Sequence, residues 1–89
     1  MDLSPYGLWT IALDLQPAPE ARRAAADIEA MGWGAIWIPE AVNREVMSNS
    51  MLLLGATEKL VVATGIANLH ARTAMSMAAG HKTVTAAHP

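Results

Sequence analysis

The 89-residue sequence contains no cysteine, which excludes disulfide bonds and thiolate metal sites. Charged residues make up only 16% of the chain, and the net charge is −2 without a basic cluster, so we expect no nucleic-acid partner. No apolar run reaches the roughly 18 residues that a membrane-spanning helix needs. No basic segment precedes an apolar core at the N-terminus, as a secretory signal would require. We therefore expect a cytoplasmic protein with no membrane partner.

Several motifs of nucleotide-binding and hydrolytic enzymes are also missing. The chain has no G-x-G-x-x-G after its first apolar run, no G-x-x-x-x-G-K-[ST] loop and no G-x-S-x-G elbow. His70, His81 and His88 are spaced eleven and seven residues apart, which is too far for a shared zinc ion. The sequence thus predicts no metal site, and it disfavours a mononucleotide site after the first strand.

What the chain does have is apolar residues, at 53%, arranged in runs that predict alternating strands and helices. Runs that are apolar on both faces are typical of buried parallel strands, whereas steps of three and four residues indicate helices. The predicted strands are Tyr6 to Leu13, Gly34 to Glu40 and Leu60 to Asn68; the predicted helices are Glu20 to Met31, Met47 to Ala56 and Ala71 to Ala87.

Some packing can also be predicted from these patterns. In the first helix, small and aliphatic residues form one apolar face, and Gly32 is a good helix stop. This face consists of Ala21, Ala24, Ala25, Ile28 and Met31. The third helix has an equivalent stripe that we expect to be buried: Ala74, Met77, Ala78, His81 and Val84. Trp9, Trp33 and Trp37 are expected in the core or between helix and sheet.

The order of elements predicts an α/β fold, βαβαβα, with parallel strands and right-handed crossovers. Two architectures fit this order. One is a small, open, doubly wound sheet. The other is the first three units of a (β/α)8 TIM barrel, which needs about 250 residues. Three parallel strands alone leave both sheet edges open.

In both architectures, ligands bind beyond the carboxyl ends of the strands. The apolar run GAIWIPE ends there in a carboxylate, Glu40, directly after a proline. The other residues predicted at this rim are Asp14, Thr64, Gly65, Asn68, His70 and Arg72. Most of them also have a structural interpretation: Glu40 as a solvated acid or a loop cap, Asp14 in a turn, Gly65 relaxing a strand end, Arg72 capping a carbonyl, and Asn68 and His70 as ordinary loop residues.

Three segments, GLWTIALD, MGWGAIWIPEA and LVVATGIANLHAR, resemble the luciferase-like monooxygenase superfamily in order and spacing. The similarity is greatest to its deazaflavin-dependent oxidoreductase branch. It covers essentially the whole chain but only the N-terminal third of the family. Residues 1–89 are therefore expected to be a partial luciferase-like barrel domain, truncated after its third helix.

The resemblance implies a TIM barrel that binds the deazaflavin coenzyme F-420, or alternatively FMN, at its rim. It implies hydride transfer between that ring and a small organic substrate, or flavin-dependent oxygenation. In the family, the loop after the second strand supplies an acidic or His-containing element near the ring; Glu40 occupies that place here and is the expected catalytic residue. Gly65 and Ile66 match a bend, often a non-proline cis peptide, that supports the ring, with Asn68 just beyond.

Because later barrel units are absent, we expect the isolated chain to be inactive. The alternative to an oxidoreductase is a non-catalytic α/β module, which would associate with copies of itself or with a complementary fragment through its open sheet edges.

Overall fold

Three parallel strands and three α-helices make up most of residues 3–89, the part of the chain that the computed structural model describes. Two short 3-10 helices, Ala12–Leu15 and Leu69–Ala71, follow the first and third strands. In chain order the main elements are β1 (Leu8–Trp9), α1 (Ala18–Ala30), β2 (Ala35–Ile38), α2 (Val46–Leu54), β3 (Val61–Thr64) and α3 (Ala74–Ala87).

The strands lie in the sequential order β1-β2-β3, and both pairings are parallel. Trp9 is aligned with Trp37, and Ile38 with Thr64. The predicted α/β fold with parallel strands is therefore confirmed. The parallel register also brings the carboxyl ends of β2 and β3 to the same edge of the sheet.

All three strands are shorter than the apolar runs that predicted them, and β2 covers only Ala35–Ile38 of the predicted Gly34 to Glu40. The first run, Tyr6 to Leu13, gives only a two-residue strand, because the chain then turns into a 3-10 helix that buries Leu13 and Asp14. The third strand ends at Thr64 instead of Asn68. α3 begins at Ala74 instead of Ala71, since the side chain of Thr73 accepts a hydrogen bond from Ser76 N and caps the helix there.

The core lies on one face of the sheet. Ile36 and Ile38 of β2 are fully buried there with residues of both α1 and α2, so these two helices cover the same face. Ala21 and Ala25 are also fully buried, as the predicted apolar face of α1 requires. The members of this cluster are Leu13, Ala21, Ala25, Ile28, Ile36, Ile38, Val46, Leu53 and Leu60.

The opposite face of the sheet carries exposed tryptophans. Trp9 is 56% exposed and Trp37 is 42% exposed, so the prediction that they lie in the core is wrong. Side chains on a strand alternate between faces, and Trp37 points away from the face on which Ile36 and Ile38 are buried. Trp33 does pack against the core cluster. We call the surface with Trp9 and Trp37 the tryptophan face.

A carboxylate binds the backbone just before β3 begins. Glu29, near the end of α1, accepts hydrogen bonds from the backbone N–H groups of Glu58, Lys59 and Leu60, the last two at 2.6 and 2.7 Å. Desolvation acts to raise the pKa of Glu29, but these donors lower it below its ordinary value.

After α1, Gly32 adopts a positive φ of 96°, which favours glycine and ends the helix.

α3 packs loosely. None of its residues is buried, so the predicted stripe is only partly correct: Met77 and Val84 are half-buried, whereas Ala74, Ala78 and His81 are exposed. The helix contacts α2, and its remaining inner surface borders an open groove next to β3. No helix within residues 3–89 is long and apolar enough to cross a membrane.

Candidate functional site

The predicted site residue Glu40 lies where the loops after β2 and β3 meet. Its backbone N–H donates to Ile66 O at 2.9 Å, and Gly65 N donates to Ile38 O at 2.7 Å. These bonds continue the β2–β3 pairing beyond the strands. The sequence prediction that Glu40 and Gly65 lie at one edge of the sheet is therefore correct.

Both carboxylate oxygens of Glu40 accept hydrogen bonds from distant parts of the chain. Oε2 accepts from Val46 N at 2.8 Å, at the start of α2, and Oε1 accepts from Asn68 N at 2.8 Å, after β3. Oε2 also forms an ion pair with the guanidinium of Arg72. One buried carboxylate therefore connects the end of β2 to the segments that precede α2 and α3.

Arg72 completes this arrangement from the other side. Its Nη1 donates to Asn68 O at 2.7 Å, and its Nη2 donates to Glu45 Oε2 at 3.2 Å as well as to Glu40. Glu45 in turn caps α2 by accepting from Met47 N and Ser48 N at 2.7 and 2.9 Å. We call the side chains of Glu40, Glu45, Asn68 and Arg72 the Glu40 cluster.

The electrostatics of the cluster fix Glu40 in its ionised form. The hydrogen bond from Arg72 lowers the pKa of Glu40 to about 2, with further lowering by the N–H groups of Val46 and Asn68, against desolvation. Desolvation would raise the pKa of Glu45, but the hydrogen bonds from Met47 and Ser48 outweigh it, so the pKa of Glu45 is also lowered. The hydrogen bond that Arg72 donates to Glu40 raises the pKa of Arg72. At neutral pH, Glu40 is thus a fixed negative charge with no proton to donate.

Next to the cluster, Gly65 lies against the tryptophan face. Trp9 Nε1 donates to Gly65 O at 2.6 Å. A Cβ atom at Gly65 would lie 3.3 Å from Trp37 Cβ and 3.4 Å from Trp9 Cδ1, so glycine permits this close approach. The following residue, Ile66, is 77% exposed. Among the described residues there is no cis peptide bond, so the cis bond expected at Gly65-Ile66 is not present.

Asp14 follows β1, as predicted, but its side chain is buried and is not open to a ligand. It is only 5% exposed, and its Oδ1 accepts a hydrogen bond from Asn49 Nδ2 at 3.0 Å. Desolvation raises the pKa of Asp14, against the hydrogen bond from Asn49 and the charge of Arg44. Asp14 Oδ2 and Asn49 Oδ1 have no hydrogen-bond partner. Asp14 therefore belongs to a buried pair between the first 3-10 helix and α2, which makes no hydrogen bond to the Glu40 cluster.

The remaining predicted rim residues have peripheral places. Thr64 is exposed at the end of β3. His70 is exposed, and its backbone N–H donates to Asn68 Oδ1 at 3.0 Å, so Asn68 organises the turn that leads to Arg72.

Sequence reasoning did not identify Glu45. An acid directly before an apolar helix is favoured by the helix dipole, and that signal could have indicated it.

A cleft of about 530 Å³ opens over the Glu40 cluster, between the loops that follow β2 and β3. This volume lies within the usual range of small-molecule sites, about 300–1,000 Å³. Its lining includes Glu40, Asn43, Arg44, Glu45, Asn68 and Arg72. Residues 3–89 contain no group of three or more metal-binding side chains that could hold an ion.

Comparison of the chain with protein-family models, with curated proteins and with solved structures finds no match.

Proposed function

We propose that the chain forms the first three units of a luciferase-like (β/α) barrel, and that this barrel is an oxidoreductase. It would transfer a hydride between the deazaflavin coenzyme F-420 and a small organic substrate, with FMN as the alternative coenzyme. The observation that carries the proposal is the helix-free tryptophan face, which ends at the polar Glu40 cluster on the carboxyl edge of a parallel sheet.

The strand order and the helix positions fit the first units of a barrel. A small sheet that is doubly wound within three strands would have helices on both faces, whereas each half of a larger doubly wound sheet is sequential, as here. The three strands of residues 3–89 run sequentially without a reversal, and α1 and α2 both pack on the same face. Sequential strands with helices on the outside are the arrangement of a barrel. In that architecture, the tryptophan face would line the interior.

The surface around Gly65 suits a flat aromatic ring. Trp9 and Ile66 supply exposed apolar area beside Gly65, whose lack of a side chain lets Trp9 and Trp37 lie against the backbone. The side-chain amide nitrogen of Asn68 makes no hydrogen bond within residues 3–89, so it is a donor for a ring heteroatom. Gly65, Ile66 and Asn68 would hold the coenzyme, whose ring supplies the hydride-carrying carbon when bound.

The same geometry limits what Glu40 would do. Its pKa is about 2, and both of its oxygens already accept hydrogen bonds. Glu40 therefore fits the role of a fixed charge that positions Asn68, and not the role of a proton donor.

The first N–H groups of α2, at Val46, Met47 and Ser48, are bound by Glu40 and Glu45. A coenzyme phosphate would therefore have to bind outside the Glu40 cluster.

Titration of the purified chain with F-420 and with FMN, followed by tryptophan fluorescence, tests the proposal. We expect saturable quenching by at least one coenzyme, without turnover, because the substrate pocket needs loops from further barrel units. Ile66→Asp should weaken binding, whereas Met31→Asp, at a comparably exposed apolar position just after α1, should not. Quenching that never saturates, or equal weakening by both substitutions, would contradict the proposal.

A further inference from the structure

Asp14 and Asn49 form a buried polar pair that the proposed coenzyme chemistry does not use. Asp14 lies in the 3-10 helix after β1 and is 5% exposed, and Asn49 lies in α2 and is 2% exposed. Both side chains are buried by residues 3–89 themselves, so the pair needs no second copy and no added strand to shield it from water. Burial of a carboxylate without a full set of hydrogen bonds is unfavourable, which makes the protonation state of Asp14 depend on the geometry of the pair.

The two side chains share one hydrogen bond and each keeps one oxygen without a partner. Asn49 Nδ2 donates to Asp14 Oδ1 at 3.0 Å. The atoms that make no hydrogen bond within residues 3–89 are Asp14 Oδ2 and Asn49 Oδ1. Both are acceptors when Asp14 is ionised, and turning the amide over would only move the missing donor to the other end of the pair. An ionised Asp14 therefore makes only one of the two contacts that a carboxyl and an amide can make with each other.

A proton on Asp14 removes this mismatch. A protonated carboxyl has one O–H donor, and an amide carbonyl is an acceptor. The Oδ2–H group of Asp14 would donate to Asn49 Oδ1 while Asn49 Nδ2 donates to Asp14 Oδ1, so one proton satisfies both unpartnered atoms. Burial favours the same neutral form, because desolvation raises the pKa of Asp14.

Arg44 is the neighbouring charge that opposes protonation. Its positive charge acts to lower the pKa of Asp14, but desolvation outweighs it. Arg44 Nη2 donates to Gln16 O at 2.7 Å, and its buried Nε makes no hydrogen bond within the described residues. The guanidinium is therefore bound at the end of the 3-10 helix, where it makes no hydrogen bond to Asp14.

No other charge is directed at the pair from the elements that pack around it. α2 itself contains no ionisable residue. The ionisable side chains of α1 and of the residue before α2 are exposed or bound elsewhere: Glu20, Arg22, Arg23, Asp27, Glu29 and Glu45.

We propose that Asp14 is protonated at Oδ2 in the folded protein and donates this proton to Asn49 Oδ1, so that carboxyl and amide form a closed pair with two hydrogen bonds. The pair is a pH-sensitive joint between two parts of the fold. Asp14 follows the strand that carries Trp9, and Asn49 lies in the helix that begins at the Glu40 cluster. This joint does not depend on the proposed coenzyme chemistry.

The sign of the pH dependence follows from the raised pKa of Asp14. The folded protein holds the proton more tightly than the unfolded chain does, so the stabilisation is complete below the ordinary value of 3.8. It is lost as the pH rises through the pKa of Asp14 in the folded state. Above that pH, Oδ2 and Asn49 Oδ1 are two buried acceptors without a donor, and the contact between the 3-10 helix and α2 weakens.

Titration of the Asp14 carboxyl carbon by ¹³C NMR, assigned with the Asp14→Asn variant, tests the proposal. In wild type we expect a midpoint above 3.8. Asn49→Leu keeps nearly the same side-chain volume and removes both hydrogen bonds. The midpoint should then fall, because the protonated form loses two bonds and the ionised form only one. If Asn49 serves only as a donor to an ionised Asp14, the same substitution should raise the midpoint instead.

Asn43→Leu, at an exposed position in the loop before α2, is the matched control and should leave the midpoint unchanged. If Asn49→Leu does not fold, wild type provides the second readout: the side-chain carbonyl carbon of Asn49 should change with the same midpoint as Asp14, because its oxygen loses the donor at that pH. A wild-type Asp14 midpoint at or below 3.8, an Asn49 carbon that does not follow it, or a midpoint that rises in Asn49→Leu would overturn the proposal.

Discussion

Replacing Glu40 with glutamine removes the charge on which the Glu40 cluster depends, with almost no change in shape. The pKa of Glu40 falls from an ordinary 4.5 to about 2, which by linkage corresponds to about 3 kcal/mol of native-state stability. Solvent at the rim screens part of this interaction, so we expect Glu40→Gln to destabilise the protein by about 1–2 kcal/mol at neutral pH. Urea unfolding followed by tryptophan fluorescence, at matched protein concentration, measures this difference.

The lowered pKa of Glu40 also determines how its contribution to stability changes with pH. Because the native-state pKa is the lower one, the stabilisation is present above about 4.5 and is lost as the pH falls toward 2. The difference between wild type and Glu40→Gln should therefore shrink over that interval. In a double-mutant cycle, Arg72→Gln should cost much less in the Glu40→Gln background than in wild type.

Glu58→Gln, an exposed acid in the turn before β3, serves as the matched control and should change stability little. A difference between wild type and Glu40→Gln that is the same at neutral pH and near pH 2 would refute the reasoning. Additive effects of the Glu40 and Arg72 substitutions would also refute it.

Three further predictions concern other parts of the fold. Glu29→Gln removes the charge that accepts three backbone N–H groups and should cost about 1–2 kcal/mol in urea unfolding, unlike Glu58→Gln. Asp14→Asn should be at least as stable as wild type at neutral pH, since burial raises the pKa of Asp14 and its ionisation therefore destabilises the fold as pH rises. This advantage should disappear in thermal melts at acidic pH, where Asp14 is protonated, and a constant difference would contradict it. Gly65→Val should crowd Trp9 and Trp37, lower the free energy of unfolding by about 1–3 kcal/mol and shift the tryptophan emission. Gly65→Ala should have a smaller effect on both quantities. Equal effects of the two substitutions would contradict the close approach of the tryptophans to Gly65.

The fold class could be predicted from sequence because its signals are local. Alternating apolar runs and helical periodicity are visible within short windows, and the structure confirms the resulting order of parallel strands and helices. The placement of Glu40 and Gly65 at one edge follows from parallel strands and needs no other information. The ends of elements were less predictable, because Thr73 and Glu45 set two of them through specific capping bonds.

The connections within the site could not be predicted from local signals. Glu40 meets Asn68 and Arg72 across separations of 28 and 32 residues, and no spacing rule relates such distant positions. Asp14 has the residue type and position of a rim acid, yet it is buried against Asn49. The tryptophans are apolar enough for a core, but helices cover only one face of the sheet, and Trp9 and Trp37 lie on the other.

The most direct test of the site is the titration of the Glu40 side-chain carboxyl carbon by ¹³C NMR, assigned with the Glu40→Gln variant. If Glu40 is the fixed charge that joins the loops after β2 and β3, its resonance should titrate with a pKa of about 2 and remain unchanged through neutral pH. A midpoint near the ordinary value of 4.5 would show that Arg72 and the two backbone donors do not hold this carboxylate, and would contradict the account.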